Sequence, residues 1–453
     1  MRTEQHPFLM SRHHITFLLG LALAFAIAWS VERQIPKAIK PHIENFSEVL
    51  HITPQHPQPA KPRALTAREM EWAREAWHYF EHNYQPATGM VNSVAGYPST
   101  SMWDLGSYLM GAIAARELEL IDEGEFENRV GRLLDSLTKM PLVEGWLPNK
   151  AYNTITLEMT DYNNNPTRQG VGWTAIDIAR FGVPMQIIVW RHPRLAPKVK
   201  RVIQRWRLEK MVDHGHLVTA ERGVDGKLYF FQEGRFGYEQ YAAQALSFLG
   251  LDVAESARFD LNVKVRPVEG QPIAYDARLP RHYHGTHNAV LSEPYILTGA
   301  EFGFNSITLP LAQSVLQAQI NRFENSGILT AVSEDHIDRA PWFVYNSVLN
   351  DLKPWAAFTP DGRDASQFRC LSTKAAIGWG LLFEGEYSSR LLQAVENLRS
   401  FGAGWYAGKY EQTGQPNRAL TSNTNAVILE VLAARAKGPL MKLATLPASG
   451  DGH

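Results

Sequence analysis

A stretch rich in carboxylates and aromatic rings, residues 217–251, contains the residue types that glycan chemistry requires. Its first half alternates around an Asp-Gly turn as a β-hairpin does, and from Tyr238 the apolar residues have helical spacing. Glu233, Arg235 and Glu239 lie among the rings between the two halves. Aromatic rings stack on sugar faces, and apolar surroundings raise the pKa of a carboxyl group toward the range of a general acid. The pattern predicts a sugar-binding cleft, with a surface hairpin that leads into a core helix as the alternative.

Cleavage of a glycosidic bond requires one carboxylic acid to protonate the leaving oxygen and a second carboxylate to attack or to activate water. Glu239 is the first candidate for the acid, because it lies in the first turn of a predicted helix beside Tyr238 and Tyr241. Aromatic burial must then outweigh the helix dipole, which favours the ionised form. Glu233 is the alternative acid, although its neighbour Arg235 would lower its pKa.

Three aspartates are candidates for the second carboxylate. Asp104 follows Trp103 in the first turn of a predicted helix, where an acid equally well supports the helix dipole. Asp161 lies in a polar loop, where an Asx turn is the simpler interpretation. Asp177 could form an ordinary ion pair with Arg180, three residues further along its helix. The sequence alone leaves all three open.

Side chains in the predicted loops and helix starts could contact a bound sugar, although each aromatic ring taken singly is equally explained by packing. The candidate substrate-binding residues are Trp103, Tyr152, Tyr162, Trp173, Arg180, Arg235, Tyr238, Trp405, Tyr406 and Glu411, and Glu411 is also a further candidate base.

A cluster of histidines, His282, His284 and His287, occupies one short stretch. Such a cluster could bind a metal ion, but no nearby Asp or Cys completes a familiar ligand spacing, so no metal site is predicted. With Tyr283, the histidines would instead suit a polysaccharide lyase, which abstracts a proton next to a uronate carboxylate.

Composition excludes several classes of protein. The formal net charge of −1 gives no field that would attract nucleic acid. The single cysteine, Cys370, excludes an internal disulfide and a Cys-based zinc cluster. Neither a glycine-rich phosphate loop nor a GxSxG or HExxH motif occurs, so nucleotide-binding and serine-hydrolase functions are not predicted, and no cofactor is expected.

Residues 1–31 combine basic residues with an apolar run at 15–31, which predicts a secretory signal or a signal anchor. The body is therefore expected in the periplasm, anchored to the inner membrane or released from it. Residues 32–65 are rich in proline and predict a linker, and residues 438–453 are predicted to be a disordered tail.

Helical periodicity dominates residues 66–437, beginning with a capping box at Thr66 and Glu69. About a dozen helices joined by alternating short turns and long loops predict an all-α fold, an (α/α)6 toroid. A few short β-hairpins are expected at the cleft end, where the long loops would gather.

Three segments carry a resemblance to a known family: TSMWDLGSYLMGAIAAR, GVGWTAIDIAR and FGYEQYAAQAL. Together they resemble the bacterial glycoamylase-like domain, and residues 71–434 more closely resemble domain of unknown function 3131, which is often found beside exopolysaccharide genes. Better-studied relatives are (α/α)6 toroids, among them endo-β-1,2-glucanases and the transglycosylating domain of cyclic β-1,2-glucan synthase. The resemblance implies a glycan-active enzyme, with Glu239 matching the family's catalytic Glu and Asp177 its cleft Asp.

The sequence thus predicts a periplasmic glycoside hydrolase or transglycosylase that acts on a bacterial glucan or exopolysaccharide. Its expected partners are the oligosaccharide or polysaccharide substrate, the inner membrane through the N-terminal helix, and exopolysaccharide export proteins. A non-catalytic glycan-binding component of the export machinery and a polysaccharide lyase are the alternatives.

Overall fold

A computed structural model describes residue 50 and residues 56–278 and 287–441 of the chain. Within these ranges the chain forms twelve α-helices, as the periodicity predicts. They are α1 (Ala67–Asn83), α2 (Met102–Glu117), α3 (Glu123–Leu137), α4 (Ala175–Ala179), α5 (Gly182–Arg191), α6 (Ala196–Arg205), α7 (Tyr238–Ser247), α8 (Glu293–Leu297), α9 (Thr308–Ser326), α10 (Thr373–Leu382), α11 (Glu386–Val395) and α12 (Ser422–Lys437).

Helix α1 begins at the predicted capping box. The side chain of Thr66 accepts a hydrogen bond from the backbone N–H of Glu69 at 3.2 Å, and the Glu69 carboxylate accepts from the backbone N–H of Thr66 at 2.8 Å. Two of the helix's unpaired backbone donors are satisfied in this way. The helix then buries Trp72, Trp77 and Phe80 against its neighbours, which fixes its orientation.

Strands are more numerous than the few hairpins predicted, although most are very short. In the described ranges they are β1 (Gln58–Pro59), β2 (Ser99–Ser101), β3 (Leu142–Val143), β4 (Leu147–Pro148), β5 (Ala151–Asn153), β6 (Met159–Thr160), β7 (Gly172–Trp173), β8 (Val212–Asp213), β9 (His216–Arg222), β10 (Leu228–Gln232), β11 (Val263–Val268), β12 (Gln271–Asp276), β13 (Glu334–His336), β14 (Phe343–Asn346), β15 (Leu349–Asn350), β16 (Lys353–Pro354), β17 (Ala357–Phe358), β18 (Cys370–Ser372), β19 (Phe383–Glu384), β20 (Arg399–Ser400), β21 (Gly404–Tyr410) and β22 (Pro416–Leu420).

Strands precede alternate helices and so define one end of the molecule. Strand β2 runs directly into α2, β18 runs directly into α10, and β7 and β22 precede α4 and α12 by a single residue. Helix α7 follows β10 after five residues. The first turns of these helices therefore lie at the end where the small antiparallel sheets form, and this end positions the candidate site.

A β-hairpin interrupts the alternation of helices. Strands β11 and β12 pair antiparallel between α7 and α8, where the order of the chain would otherwise place a helix. The hairpin packs on α9, whose Ser314 hydroxyl donates to the carbonyl of Pro272 at 2.8 Å and whose Asn321 amide donates to the carbonyl of Glu269 at 2.8 Å.

The segment that precedes α1 is held against the body, in contrast to the free linker predicted up to residue 65. Strand β1 pairs antiparallel with β19, and the backbone N–H of Arg63 donates to the carbonyl of Arg435 at 2.9 Å. The predicted signal or anchor and the greater part of the predicted tail lie outside the described residues. Within the described ranges, no helix combines the length and apolar character needed to cross a membrane.

Candidate active site

Polar side chains from the first turns of several helices meet at the strand-rich end. Asn423 of α12 accepts hydrogen bonds from the indole N–H of Trp103 at 3.2 Å and from the hydroxyl of Ser107 at 3.0 Å, both on α2. Its amide donates to Glu293 of α8 at 2.8 Å, and the other oxygen of Glu293 lies 2.5 Å from the ammonium of Lys374 on α10. These contacts connect four helices in a continuous polar floor.

The floor continues through β13 to α7. The ammonium of Lys374 donates to the carbonyl of Glu334 at 2.6 Å and lies 3.6 Å from the carboxylate of Asp335. The phenol of Tyr238 donates to the Glu334 carboxylate at 2.7 Å, and its ring meets Trp103 edge to face at 5.5 Å. The ring of contacts therefore closes on α2, where it began. We call Trp103, Ser107, Asn423, Glu293, Lys374, Glu334 and Tyr238 the cleft floor.

Two partly exposed carboxyl groups, those of Asp177 and Glu334, share Arg235 and Tyr345 as neighbours. The guanidinium of Arg235 lies 3.8 Å from the Glu334 carboxylate and 5.7 Å from the centre of the Tyr345 ring. The charge of Arg235 also acts on Asp177, in the first turn of α4, and Asp177 and Tyr345 interact electrostatically. Arg235 itself has a φ of 74°, a left-handed conformation that is energetically unfavourable for residues other than glycine. Sites that bind ligands commonly hold such strain.

The surroundings of Asp177 suit a general acid. Burial and the negative charge of Glu233 together raise the pKa of Asp177 to about 7, against the opposing positive charge of Arg235. Glu233 is itself buried and accepts a hydrogen bond at 3.0 Å from the backbone N–H of Ala175, at the start of α4. A group with a pKa near neutrality is protonated often enough to donate a proton under physiological conditions.

Glu334 has the environment of the complementary carboxylate. Burial raises the pKa of Glu334 on balance, and the negative charge of Glu293 adds to the rise, while the positive charges of Arg235 and Lys374 and the hydrogen bond from Tyr238 oppose it. These three partners limit the rise and so support its ionised form. Asp177 and Glu334 together provide two carboxyl groups of different surroundings in one site.

Asp104 lies on the α2 side of the cleft floor. One of its carboxylate oxygens accepts hydrogen bonds from the hydroxyls of Ser93 and Ser101, both at 2.6 Å. Burial raises the pKa of Asp104, against those two hydrogen bonds and the nearby charge of Lys374. The sequence candidates Asp104, Asp177, Glu233, Arg235, Tyr238 and Trp103 are therefore gathered in the structure.

Asp161 organises a loop instead of facing the other carboxyl groups. Its carboxylate accepts hydrogen bonds from the backbone N–H groups of Asn163 and Asn165, each at 2.9 Å, as the Asx-turn interpretation expects. The turn presents Tyr162, whose ring is 63% exposed, and its phenol interacts electrostatically with Asp177. The contribution of Asp161 is thus to position an exposed ring beside the candidate acid.

Glu239 occupies a separate buried ion cluster, away from the partners predicted for it. Arg278 forms ion pairs with both Glu239 and Asp276, and the hydroxyl of Ser256 donates to Glu239 at 2.7 Å. Burial raises the pKa of Glu239 to about 7, and the charge of Arg278 opposes the rise. Successive helix residues point about 100° apart, so Tyr238 faces the cleft floor while Glu239 faces the β12 side.

Four predicted substrate-binding residues form part of the core, where they are closed to a ligand. Tyr152, Trp173, Arg180 and Trp405 are completely buried. The phenol of Tyr152 donates to the carbonyl of Pro141 at 2.8 Å, and Arg180 forms buried ion pairs with Glu301 and Glu430 in place of the predicted pair with Asp177. Their aromatic and basic character therefore reflects packing and internal charge balance.

The remaining candidates have other surroundings. Glu411 is paired with Arg322 at 2.8 Å and with Arg369 at 3.4 Å, and Tyr406 is a partly exposed residue of β21. His287 packs on Phe358 at 4.7 Å. The other members of the predicted histidine cluster, His282, Tyr283 and His284, lie outside the described residues.

Sequence reasoning missed several residues of the site, among them Glu293, Glu334, Tyr345, Lys374 and Asn423. A signal was available for three of them, because Glu293, Lys374 and Asn423 each lie in the first turn of a helix that follows a Ser or Thr. The first turns of alternate helices face the same end of a toroid, so polar residues there are expected at the cleft. Glu334 and Tyr345 carry no comparable local signal, since strand pairing alone brings them in.

Solved structures of three proteins share this arrangement of helices. An endo-β-1,2-glucanase from Chitinophaga pinensis, in complex with sophorotriose and glucose, superposes with a TM-score of 0.58 at 11% identity, covering 84% of this chain and 95% of that one. An endo-β-1,2-glucanase from Talaromyces funiculosus, in complex with sophorose, gives 0.57 at 9% identity, covering 83% and 85%. The glucoamylase from Saccharomycopsis fibuligera gives 0.50 at 10% identity, covering 86% and 99%.

At these identities the likeness establishes the fold alone, and the chain has the α/α toroid fold of these structures. The family model of DUF3131, a protein family of unknown function, matches residues 71–438. The chain therefore belongs to DUF3131, in agreement with the resemblance of its motifs. A search of curated proteins found no match.

Proposed function

We propose that the protein is a glycoside hydrolase whose catalytic pair is Asp177 and Glu334. The observation that carries the proposal is the convergence of these two carboxyl groups on Arg235 and Tyr345, with the pKa of Asp177 raised to about 7. Two carboxyl groups with different surroundings are what glycosidic cleavage requires. Exposed Tyr162 and the indole of Trp103 supply rings on which a sugar can stack.

In the proposed reaction, Asp177 donates its proton to the glycosidic oxygen as the bond to the anomeric carbon breaks. Glu334 supplies the second carboxylate, which attacks that carbon or removes a proton from the attacking water. Arg235 has a double role, since its positive charge favours ionised Glu334 and limits the rise in the pKa of Asp177. If Glu334 attacks, a glycosyl ester forms, and water or an acceptor sugar hydroxyl then displaces Glu334 from the anomeric carbon and gives its proton to Asp177. If Glu334 activates water, the proton that it takes returns to Asp177 through the solvent.

A β-linked bacterial glucan is the substrate that the comparisons favour. Two structural neighbours are named as endo-β-1,2-glucanases, and their structures contain sophorose or sophorotriose. We extend that preference to this chain as a proposal, with hydrolysis or transglycosylation as the outcome for the cleaved chain. A periplasmic location, anchorage through residues 15–31 and contact with exopolysaccharide export proteins belong to the same proposal.

The test is product release from a panel of bacterial glucans, including linear β-1,2-glucan. We expect the wild type to release oligosaccharides, and Asp177→Asn and Glu334→Gln each to reduce the rate by about 10²–10⁴-fold. Asp225→Asn, at the exposed tip of the β9–β10 hairpin, is the matched control and should retain full activity. Glu239→Gln separates this proposal from the sequence-based one, because it should retain activity if its role is confined to the Arg278 cluster.

Retention of activity by Asp177→Asn together with its loss in Glu239→Gln would transfer the role of acid to Glu239. Binding of a glucan without release of product by the wild type would replace the hydrolase with a glycan-binding component of an export machinery.

A further inference from the structure

The hairpin β13–β14 extends outward from the candidate site. Its register pairs Glu334 with Tyr345 and His336 with Phe343. Directly opposed residues of an antiparallel pair share one face of the sheet, and successive residues alternate between faces. Glu334, His336, Phe343 and Tyr345 therefore share a face, while Asp335 and Val344, paired between them, point into the protein.

Burial agrees with this alternation. Asp335 is 2% exposed and Val344 is completely buried, whereas His336, Phe343 and Tyr345 are all partly exposed. The face that begins at Glu334 is thus partly exposed along its length. We call Tyr345, Phe343 and His336 the aromatic strip.

The rings of the strip are in mutual contact, and Tyr345 is also flanked on the same face by Phe358, its partner on strand β17. The Tyr345 and Phe343 rings lie 5.3 Å apart, and those of Phe343 and His336 lie 5.0 Å apart. The buried ring of Phe358 stacks on Tyr345 at 5.1 Å with an interplanar angle of 12°. The strip joins the site through Arg235, which lies over Tyr345. Stacked support of this kind holds a ring in one orientation before a ligand arrives.

The strip carries no charge at neutral pH. Burial, reinforced by the charge of Lys374, lowers the pKa of His336 to about 4, and burial raises the pKa of Tyr345 to about 12. Beyond Glu334, the side chains on this face are therefore neutral rings. Such a surface suits the apolar faces of uncharged sugars, and the cation that borders it, Arg235, is paired with Glu334.

We propose that the aromatic strip binds the part of an uncharged polysaccharide chain that extends beyond the cleaved bond, so that the protein acts preferentially on long chains. The part of this inference that concerns cleavage of long chains rests on the proposed function. Tyr345 and Phe343 are two residues apart, roughly 7 Å along the strand, and their rings meet edge to face with an interplanar angle of 76°, so they offer two differently oriented aromatic surfaces. The strip accordingly extends the site outward along β13–β14 from Arg235.

The test compares variants of Phe343. Phe343→Leu keeps an apolar side chain of similar reach but removes the ring face, and Phe343→Tyr keeps the ring. Phe401→Leu is the matched control, because Phe401 is 75% exposed and its ring contacts Arg399, close to α1. For each protein, KM and kcat are measured on a long uncharged glucan and on its shortest cleaved oligosaccharide.

Loss of a stacking partner should raise KM for the long glucan about three- to tenfold in Phe343→Leu. The same variant should keep the wild-type kcat and KM on the short oligosaccharide, which also shows that it is folded. Phe343→Tyr and Phe401→Leu should resemble the wild type on both substrates. Equal effects of Phe343→Leu on both substrates, or equal behaviour of the Leu and Tyr variants, would contradict binding of the extended glycan by the aromatic strip.

A binding measurement separates this inference from the proposed hydrolysis. Retardation in gels that contain linear β-1,2-glucan, with alginate as the charged comparison, reports binding without cleavage. If the wild type cleaves no glucan but is retarded by the neutral polymer, and Phe343→Leu abolishes that retardation, glycan binding by the strip is supported and the proposed hydrolysis is contradicted. If cleavage is observed and Phe343→Leu changes neither KM nor retardation, glycan binding by the strip is contradicted and the proposed hydrolysis is supported. Stronger retardation of the wild type by alginate would also contradict the neutral strip.

Discussion

At the scale of single residues, opposing charges set the proton affinity of Asp177. Burial and the negative charge of Glu233 raise its pKa, and the positive charge of Arg235 lowers it. If Asp177 is the general acid, its protonated form is the active one. The activity should therefore decline as the pH rises through about 7.

Substitution of the two neighbours should move this alkaline limb in opposite directions. Glu233→Gln removes a negative charge, so the pKa of Asp177 should fall and the limb should move to lower pH. Arg235→Met removes a positive charge, so the pKa should rise and the limb should move to higher pH. The measurement is the pH profile of kcat/KM for both variants and the wild type.

The exposed-site variant Asp225→Asn provides the control for this comparison, since its profile should coincide with that of the wild type. Movement of both limbs in the same direction would contradict the assignment of Asp177 as the titrating acid.

The residue types of the site could be predicted from the sequence, but their orientation could not. The aromatic and carboxylate content around Glu233 predicted Glu233, Arg235 and Tyr238 as site residues, and the structure places these three near Asp177 or Glu334. Which carboxyl group faces the floor depends on helix rotation, and one position separates Tyr238, which faces it, from Glu239, which does not. Glu334 comes from a strand far along the chain, so no local pattern could connect it with Asp177.

At the scale of elements, Arg180 connects helices beneath the cleft floor. It is completely buried, pairs with Glu301 and with Glu430 of α12, and lies against Gly106 of α2, where a Cβ would come within 2.5 Å of its side chain. The hydroxyl of Tyr241 on α7 lies 2.6 Å from the guanidinium. One cation thus balances buried charge shared by several helices.

Arg180→Met should destabilise the fold strongly, because it leaves the Glu301 and Glu430 carboxylates without their cation. Removal of one partner from a buried ion pair typically costs about 3–5 kcal/mol. The free energy of unfolding from urea titration is the measurement. Arg390→Met, which breaks an exposed pair with Glu386 on α11, is the control and should change stability little.

A substrate-binding role for Arg180, as the sequence suggested, leads to the opposite pattern. Arg180→Met would then weaken glycan binding while leaving the urea midpoint unchanged, and that outcome would contradict the structural role.

Elements with strong local patterns could be predicted. The helices from α1 to α12 follow from apolar spacing, and the β9–β10 hairpin follows from its Asp-Gly turn. The many two-residue strands could not be predicted, because they are fixed by long-range contacts; β2, for example, pairs with β5 some fifty residues later. Local propensity carries little information about such pairs.

At the scale of the whole molecule, the segment before α1 acts as a strap across the body. Strand β1 pairs with β19, the amide of Gln313 on α9 donates to the carbonyl of Pro57 at 2.8 Å, and Arg63 bonds to the last turn of α12 through its backbone. The strap therefore contacts elements that are distant in sequence. Composition suggested a linker here because proline-rich segments lack helical pattern.

A chain that begins at residue 66 should consequently unfold at a lower temperature than a chain that begins at residue 56. Loss of the strap's hydrogen bonds should lower Tm by about 2 °C or more, measured by thermal unfolding followed by circular dichroism. Equal melting temperatures for the two chains would show that the strap adds no stability. The segment up to residue 65 would then behave as the predicted linker.

The central claim, that Asp177 protonates the departing sugar, is tested most directly by varying the leaving group. The nitrophenolate of a nitrophenyl glycoside leaves without the help of an acid. The sugar hydroxyl that leaves from the natural chain requires protonation of the glycosidic oxygen. We predict that Asp177→Asn slows cleavage of the natural glucan by about 10²–10⁴-fold and leaves cleavage of the nitrophenyl glycoside near the wild-type rate. Equal losses on the two substrates would contradict the account, because the defect would then be independent of proton donation.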